Sequence, residues 1–570
     1  MKKILCLLLA ILALLPVVSC NGSEPSEQQT QPPQTEQEPT APVTQSPPKP
    51  EVPPVKPTAE IDLQTVYLYV GDTYELPYTL GKGVAEDAVL PWSSSRDCVT
   101  VKDGTVTAVK EGYAIVSAGG STTCHVRVLP ETLPNLMITT NGVEIDSKET
   151  YTDCFVSVMS ESGDFDKLMM AGGIRLRGNS TVRYPKKPFR IKFNSKQNLL
   201  GLNGGAKCKS WVLLAEYLDD SFIRNATAHS LASILLEEYS TDWCYVNLYV
   251  NNEHLGVYVL CEQSQINEHR VDIEEAGADS TELQSGYLFE LEGGNPPDTR
   301  PYIIYDHFEI LHFYSGNPHS YVTTNTGKYG KLYFEFKNDD LSPEQVAYAT
   351  KYFQSIFDVL CYATFKGEYY AIDRETAELI PSDATTAEEA ISAVIDVESV
   401  ARMYILGELM CNNDEHYKSF YFWFDLSEGG TGKLTFGCPW DYDGATVVWA
   451  TENWQPTNKY FSAKRQVLYA AITYNEFFRV RVRELWEEFY ALTNGFEDVL
   501  SVMDRTSDYY EQDFEADAKL WKPNHPQKEW KDMTIQWLRD RIAWLNEQFT
   551  AFPGLPGEDD TTTENGEEKQ

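Results

Sequence analysis

Apolar and polar residues alternate from residue 58 to about 130, in stretches such as TVYLYVGDTYELPY, CVTVKDGTVTAVKEG and YAIVSAGGSTTCHVRVLP. Alternation with period two, broken by Gly and Asp turns, predicts short antiparallel strands and hence a small sandwich. Strand-like runs continue beyond residue 131 in FVSVMS, GGIRLRG, FRIKF, CYVNLYV and LGVYVLCEQ. Then the period lengthens. SPEQVAYATKYFQSIFDVLCYATF, VESVARMYILGELM, FFRVRVRELWEEFYALTNGF and MTIQWLRDRIAWLNEQF gather their apolar residues on one helical face. Strands followed by helices predict an α+β body in two lobes over residues 131–553.

The two ends read differently. MKKILCLLLAILALLPVVSC places two lysines before an apolar run that stops at small residues. That run is too short to span a bilayer and reads as a secretory signal over residues 1–19. Val17-Val18-Ser19-Cys20 resembles the lipobox of bacterial lipoproteins. The resemblance implies cleavage before Cys20 and a lipid on its thiol, anchoring the chain outside the cytoplasm without crossing the membrane. Residues 20–57, rich in Pro, Gln, Glu and Thr, bury no core and predict a disordered tether. Residues 554–570 form a polar acidic tail with the same expectation.

Charge narrows the partners. Against 47 Lys and Arg stand 85 Asp and Glu, a net charge of −38. Such a surface repels nucleic acid and anionic lipid, so no nucleic-acid partner is expected. Of the 11 cysteines, Cys6 leaves with the signal and Cys20 takes the lipid. No CxxC pair suggests a zinc ribbon. Disulfides are expected outside the cytoplasm, with Cys98 and Cys124 a pair to examine.

Candidate chemistry gathers in four stretches. IRLRGNSTVRYPKKPFRIKF sets Arg175, Arg177, Arg183, Lys186, Lys187, Arg190 and Lys192 close together in an acidic protein, as an anion site or a lysine-protected strand edge would require. In WVLLAEYLDDSFIRNATAHSLASILLEEY, Asp219, Asp220 and Ser221 suit a helix start, and Arg224 in its first turn calls for a partner, read as a surface salt bridge. VNLYVNNEHLGVYVLCEQ is a hairpin turning at Asn251-Asn252, with Glu262 at the end of its second strand and expected to be exposed.

The fourth stretch is the most informative. A helix delivers the loop Cys411-Asn412-Asn413-Asp414, a strand follows, then a Gly-rich turn, a second strand and PWDYDG. A hairpin of this kind returns the chain toward its start and can bring Asp414 near Asp441 or Asp443. Carboxylate oxygens of this sort hold Mg²⁺ together with substrate phosphates. The order matches kinase logic: an Asp that accepts a hydroxyl proton, a metal-binding residue five positions on, and a later metal-binding Asp. Ser419 stands where that scheme has Asn. Asp-x-Asp-Gly also suits an ordinary turn. His416 reads as a hydrogen-bonding loop residue.

Two resemblances complete the reading. Residues 58–130 resemble the group 2 bacterial immunoglobulin-like domain, which implies a small all-β sandwich used as a spacer or adhesive unit. RLRGNST, PKKPFRIKF, WVLLAEYLDDSFIRNATAHSLA, VNLYVNNEHLGVYVLCEQ, GYLFELE, NNDEHYKSFYFWFD and PWDYDG, in that order, resemble the spore coat protein H (CotH) kinase-like family. This second resemblance implies an atypical two-lobed protein-kinase-like fold and transfer of phosphate from ATP to protein Ser or Thr with Mg²⁺ or Mn²⁺. It implies Asp414 as the catalytic acid, and Asp441, Asp443 and Ser419 as metal-side residues. Lys187 becomes the candidate phosphate-contacting lysine, Glu262 its orienting partner and Arg177 a nucleotide-side residue. An extracytoplasmic lipoprotein meets little ATP, which keeps a non-catalytic cell-surface binding or adhesion protein as the alternative.

Overall fold

Alternating strands of the first half of the body close on themselves. A computed structural model describes residues 57–277, 279–292, 301–305, 332–415, 418–446, 455–522 and 526–551. The signal, Cys20, the tether up to residue 56, His416 and the acidic tail lie outside the described residues. Counting strands from the start of the body, β1 (Asn135–Thr139), β2 (Thr152–Met159), β3 (Lys167–Leu176), β4 (Phe189–Gln197), β5 (Cys208–Leu214), β6 (Trp243–Val250) and β7 (Glu253–Glu262) form a closed barrel in the order β1-β2-β3-β4-β5-β7-β6. Parallel pairing of β1 with β6, Asn135 opposite Asn247, closes it. Inward residues such as Val156, Ile174, Ile191, Trp211, Leu213, Val246 and Leu260 fill the barrel. On β5, β6 and β7 the other face is buried too: Val212, Tyr245, Val259 and Cys261 join the core of the helical half. The β6–β7 hairpin turns at Asn251 and Asn252 with φ of 50° and 68°, the left-handed pair a two-residue turn demands.

A five-stranded sheet follows, in the order β9-β10-β8-β11-β12: β8 (Gly286–Glu292), β9 (Tyr302–Tyr305), β10 (Leu332–Phe336), β11 (Lys418–Asp425) and β12 (Thr435–Gly437). One face presents Phe289, Phe334 and Phe422 to Phe353 of a long helix, Pro343–Lys366. That helix starts on a reciprocal Ser342–Gln345 capping box and stops at Gly367 in the left-handed region. The opposite face carries Glu290, Ser419 and Tyr421, and it meets the active-site candidates described below. The helices that matter for the site are α1 (Arg224–Leu235), α2 (Val397–Met410), α3 (Glu497–Tyr509), α4 (Glu511–Trp521) and α5 (Gln527–Thr550). Among the described residues no helix is long and apolar enough to cross a membrane.

Residues 59–129 form an all-β module, with a four-stranded, a three-stranded and a two-stranded sheet. It is not held apart from the body. The Tyr69 hydroxyl bonds Thr506 Oγ1 at 2.7 Å, Arg505 pairs with Asp72 at 2.8 Å, and Tyr67 stacks on Trp243. Module and body share one hydrophobic core. The expected disulfides do not appear among the described residues: Cys98, Cys124 and the seven other described cysteines are buried thiols. Spacing in sequence does not report which sulfurs meet.

Candidate active site

The hairpin does return the chain to its start. β11 and β12 pair antiparallel with Tyr421 opposite Gly437, so residues just before β11 and just after β12 arrive at one end of the sheet. There Ser419 Oγ donates to Asp441 Oδ2 at 3.1 Å, and Lys418 Nζ pairs with Asp414 Oδ2 at 2.7 Å. Asp414 and Lys418 are four residues apart, and the Lys418 amide also donates to the Asp414 carbonyl at 2.8 Å.

The segment after β12 is fixed from several sides. Asn412 Nδ2 donates to the Asp441 carbonyl at 3.1 Å, and the Tyr442 amide donates to Asn225 Oδ1 at 2.8 Å. The Thr446 amide closes back on the Met410 carbonyl at the end of α2, at 2.7 Å. Arg224 Nη1 reaches the Asp443 carbonyl and Arg224 Nε the Thr446 hydroxyl. Cys411, Ser419, Cys438, Asp441 and Thr446 all have φ between 47° and 65°. Left-handed backbone at a non-glycine residue costs on the order of 1–3 kcal/mol and persists only where its surroundings over-determine it.

Electrostatics single out Asp443. Burial, then the charges of Asp441 and Asp414, push its carboxyl well above the ordinary range, against a smaller opposing effect of Lys418. Glu216, buried beside the same segment, is raised by burial and by Asp219 and Asp443. The cluster is therefore short of positive charge. Among the described residues no three His, Cys, Asp or Glu side chains are arranged to cage a metal alone. Carboxylates and a hydroxyl are nonetheless hard-cation donors, and Mg²⁺ is commonly held by one or two carboxylates plus phosphate oxygens. The donor chemistry and the excess of negative charge both fit such an ion.

A sequence model of the CotH kinase protein family matches residues 174–545, more than half of the chain. The chain belongs to the CotH kinase family. The match runs from β3 of the barrel to α5 and so takes in every candidate site residue named above except the lipidation cysteine, Cys20. No curated protein matches the chain.

Not every residue expected at this CotH site lies there. Lys187 Nζ donates to the carbonyls of Val182 and Tyr184, at 2.8 and 2.7 Å, and so caps a local turn. Glu262, expected to be exposed, is buried; it pairs with Arg270 at 3.4 Å and accepts from the Tyr239 hydroxyl. The two do not meet as a lysine–glutamate pair. The neighbouring Lys186 is the buried lysine: it pairs with Asp517 on α4, donates to the Val257 carbonyl at 2.6 Å and lies 4.6 Å from the Tyr258 ring centre. Arg177 stacks 5.2 Å from the ring of Trp440, the residue before Asp441. Arg224 is fully buried rather than at the surface, and pairs with Asp219 at 3.3 Å. Sequence reasoning passed over Lys418, Asn412, Glu216 and Trp440. Lys418 opens a strand after a loop, where no helical spacing marks it as the partner of Asp414.

Proposed function

We propose that this chain is a surface-tethered, atypical kinase-like phosphotransferase that moves the γ-phosphoryl group of ATP to Ser or Thr hydroxyls of an extracytoplasmic protein. The observation that carries this reading is the convergence of Asp414, Ser419, Asp441 and Asp443 at one end of the β11–β12 pair, where Asp443 is strained by its acidic neighbours. Asp414 is the group that orients the acceptor hydroxyl and takes its proton as the new O–P bond forms and the bond to ADP breaks. Lys418 holds the Asp414 carboxylate in place. Asp441, oriented by Ser419, and Asp443 would hold Mg²⁺ or Mn²⁺, which would supply the positive charge that phosphate oxygens need there. Arg177 is the nucleotide-side residue of this reading, and its stacking on Trp440, next to Asp441, supports that role. The tether to the membrane rests on the lipobox-like Val17-Val18-Ser19-Cys20 alone.

Radiolabelled ATP with Mg²⁺ or Mn²⁺, incubated with the full chain and an envelope protein fraction, tests the proposal. Label should enter protein with the unaltered chain and fail to enter with Asp414→Asn or Asp441→Asn, while melting temperatures stay close. Equal labelling by all three chains would overturn it. A second reading, a non-catalytic surface-binding lipoprotein, is favoured by one fact. Both lysines of Pro185-Lys186-Lys187 are engaged away from the acids. The absence of any nucleotide-dependent thermal shift with either metal would support that reading.

A further inference from the structure

A polar cavity lies away from the acids, at the seam between the all-β module and the body. It measures about 280 Å³, and its walls include Tyr67, Tyr113 and Arg127 from the module and Asn203, Glu238 and Tyr239 from the body. That volume is at the small end of ligand pockets. Its walls hold polar atoms that the fold leaves unused. Arg127 is 5% exposed, and its Nη2 donates to the Leu200 carbonyl at 3.1 Å, yet its Nε and Nη1 make no hydrogen bond among the described residues. Glu238 Oε2 is likewise without one. Buried polar groups are paired in the great majority of cases, and each one left over costs about 1–3 kcal/mol. Several such groups around one cavity mark a place where something else supplies the partners.

The walls also say what kind of molecule fits. Glu237 and Asp242 balance Arg127 and Arg270, so the lining has no surplus of fixed positive charge to draw an anion. Asp242 is already occupied by the amides of Asn203 and Trp243, at 2.7 and 2.8 Å. What is left is a guanidinium with two unpaired nitrogens, a carboxyl oxygen and three tyrosine rings. Burial raises the Glu238 carboxyl to about 7, which suits a partner that can both give and accept a hydrogen bond better than an ammonium group. Hydroxyl groups do both, and a ring carrying them offers an apolar face to tyrosine.

We infer that the seam between the module and the barrel is a binding site for a neutral polyhydroxylated ring, a monosaccharide or the terminal unit of a glycan, held by Arg127 and Glu238. This site is independent of phosphoryl transfer.

Thermal-shift and calorimetric titration of the full chain with glucose, galactose, mannose and N-acetylglucosamine test it, beside glycine, alanine and inorganic phosphate as controls. At least one sugar should raise the melting temperature, and its affinity should fall at least tenfold in both Arg127→Met and Glu238→Ala. Asn203→Ala, which leaves the buried guanidinium in place, should also weaken binding if the two core changes disturb folding. Asp414→Asn should bind the sugar as the unaltered chain does. No sugar shift, a shift produced by the amino acids or phosphate instead, or sugar affinity unchanged in the variants would each overturn the inference, as would a sugar-soaked crystal with only ordered water in the seam.

Discussion

Ser419 and Asp441 stand 22 residues apart in the chain and are joined by one hydrogen bond of 3.1 Å from hydroxyl to carboxylate. That bond decides which way the Asp441 carboxylate points. Ser419→Ala should therefore weaken Mg²⁺-dependent thermal stabilisation several-fold while costing the metal-free protein only about 1 kcal/mol, the usual worth of one such bond. Ser419→Asn should keep the metal response. Its amide reaches further, and Asn tolerates the left-handed backbone that Ser419 adopts at φ 56°. Identical metal titrations for the unaltered chain and the alanine variant would show that the bond has no part in metal binding.

Asp443 predicts a pH dependence. Its folded carboxyl lies well above the ordinary value of 3.8, through burial and the charges of Asp441 and Asp414. The folded state thus holds a proton that the unfolded state gives up, so stability from this group falls as pH rises from about 4 through the raised value. A divalent cation replaces that proton, and its binding should release protons and stabilise more strongly at higher pH. Asp443→Asn should flatten this part of the pH–stability curve, raise metal-free stability at pH 8 and remove the metal response. Urea unfolding at pH 5, 6.5 and 8, with and without Mg²⁺, reads all three.

Lys418 offers a test that separates positioning from folding. Its ion pair with Asp414 is partly open to water, with 27% of the lysine and 14% of the aspartate side chain exposed. Such a pair contributes no more than about 1 kcal/mol to stability. Lys418→Met should leave the melting temperature nearly unchanged but cut phosphate transfer, with the loss in kcat rather than in KM for ATP. An unchanged kcat would remove Lys418 from the reaction.

Much of this arrangement is legible in the chain because its parts are local. The β11–β12 hairpin follows from period-two alternation around a Gly-rich turn, and with it the return of Asp441 toward Asp414. Barrel closure is not local. It depends on β1 meeting β6, residues more than a hundred positions apart, and no pattern within either strand encodes that choice. Lys186 and Lys187 sit between two prolines, where no helical or strand period fixes which side chain points inward. The fold turns Lys186 to Asp517 and leaves Lys187 on a turn. The same ambiguity hid Glu262: an acid ending an apolar strand reads as exposed until Arg270, eight residues on, folds back over it.

A buried ion pair holds the loop beyond the site. Arg541 on α5 and Glu408 on α2 are both fully buried and pair at 2.6 Å. The Glu408 carboxylate also accepts from the amides of Phe461 and Ala463, while Arg541 Nη1 donates to the Lys459 carbonyl at 2.6 Å. Removing one partner strands the other charge, so Arg541→Met should destabilise by about 3–5 kcal/mol. Glu408→Gln keeps the shape and some of the hydrogen bonds, and should cost less. Denaturant unfolding of both variants distinguishes a true buried charge pair from simple packing, which would predict equal and smaller losses.

Gly256 makes the other buried pair possible. It sits at φ 91° on β7, and a Cβ there would fall inside the carboxylate of Asp517. That carboxylate accepts from the Val257 amide at 2.8 Å and pairs with Lys186. Gly256→Ala thus imposes a backbone strain and displaces the partner of a buried lysine together. Burial alone already pulls Lys186 below its ordinary value, against the raising effect of Asp517. With Asp517 pushed away, Lys186 loses its compensation and favours the neutral form. The variant should lose several kcal/mol of stability, and the loss should be greatest at acid pH, where an uncompensated lysine must be charged in the unfolded chain but resists charging in the folded one. Unfolding measured at pH 6 and pH 9 checks the sign: an equal deficit at both would mean that the glycine matters only for its backbone, and a larger one at pH 9 would contradict the lysine account.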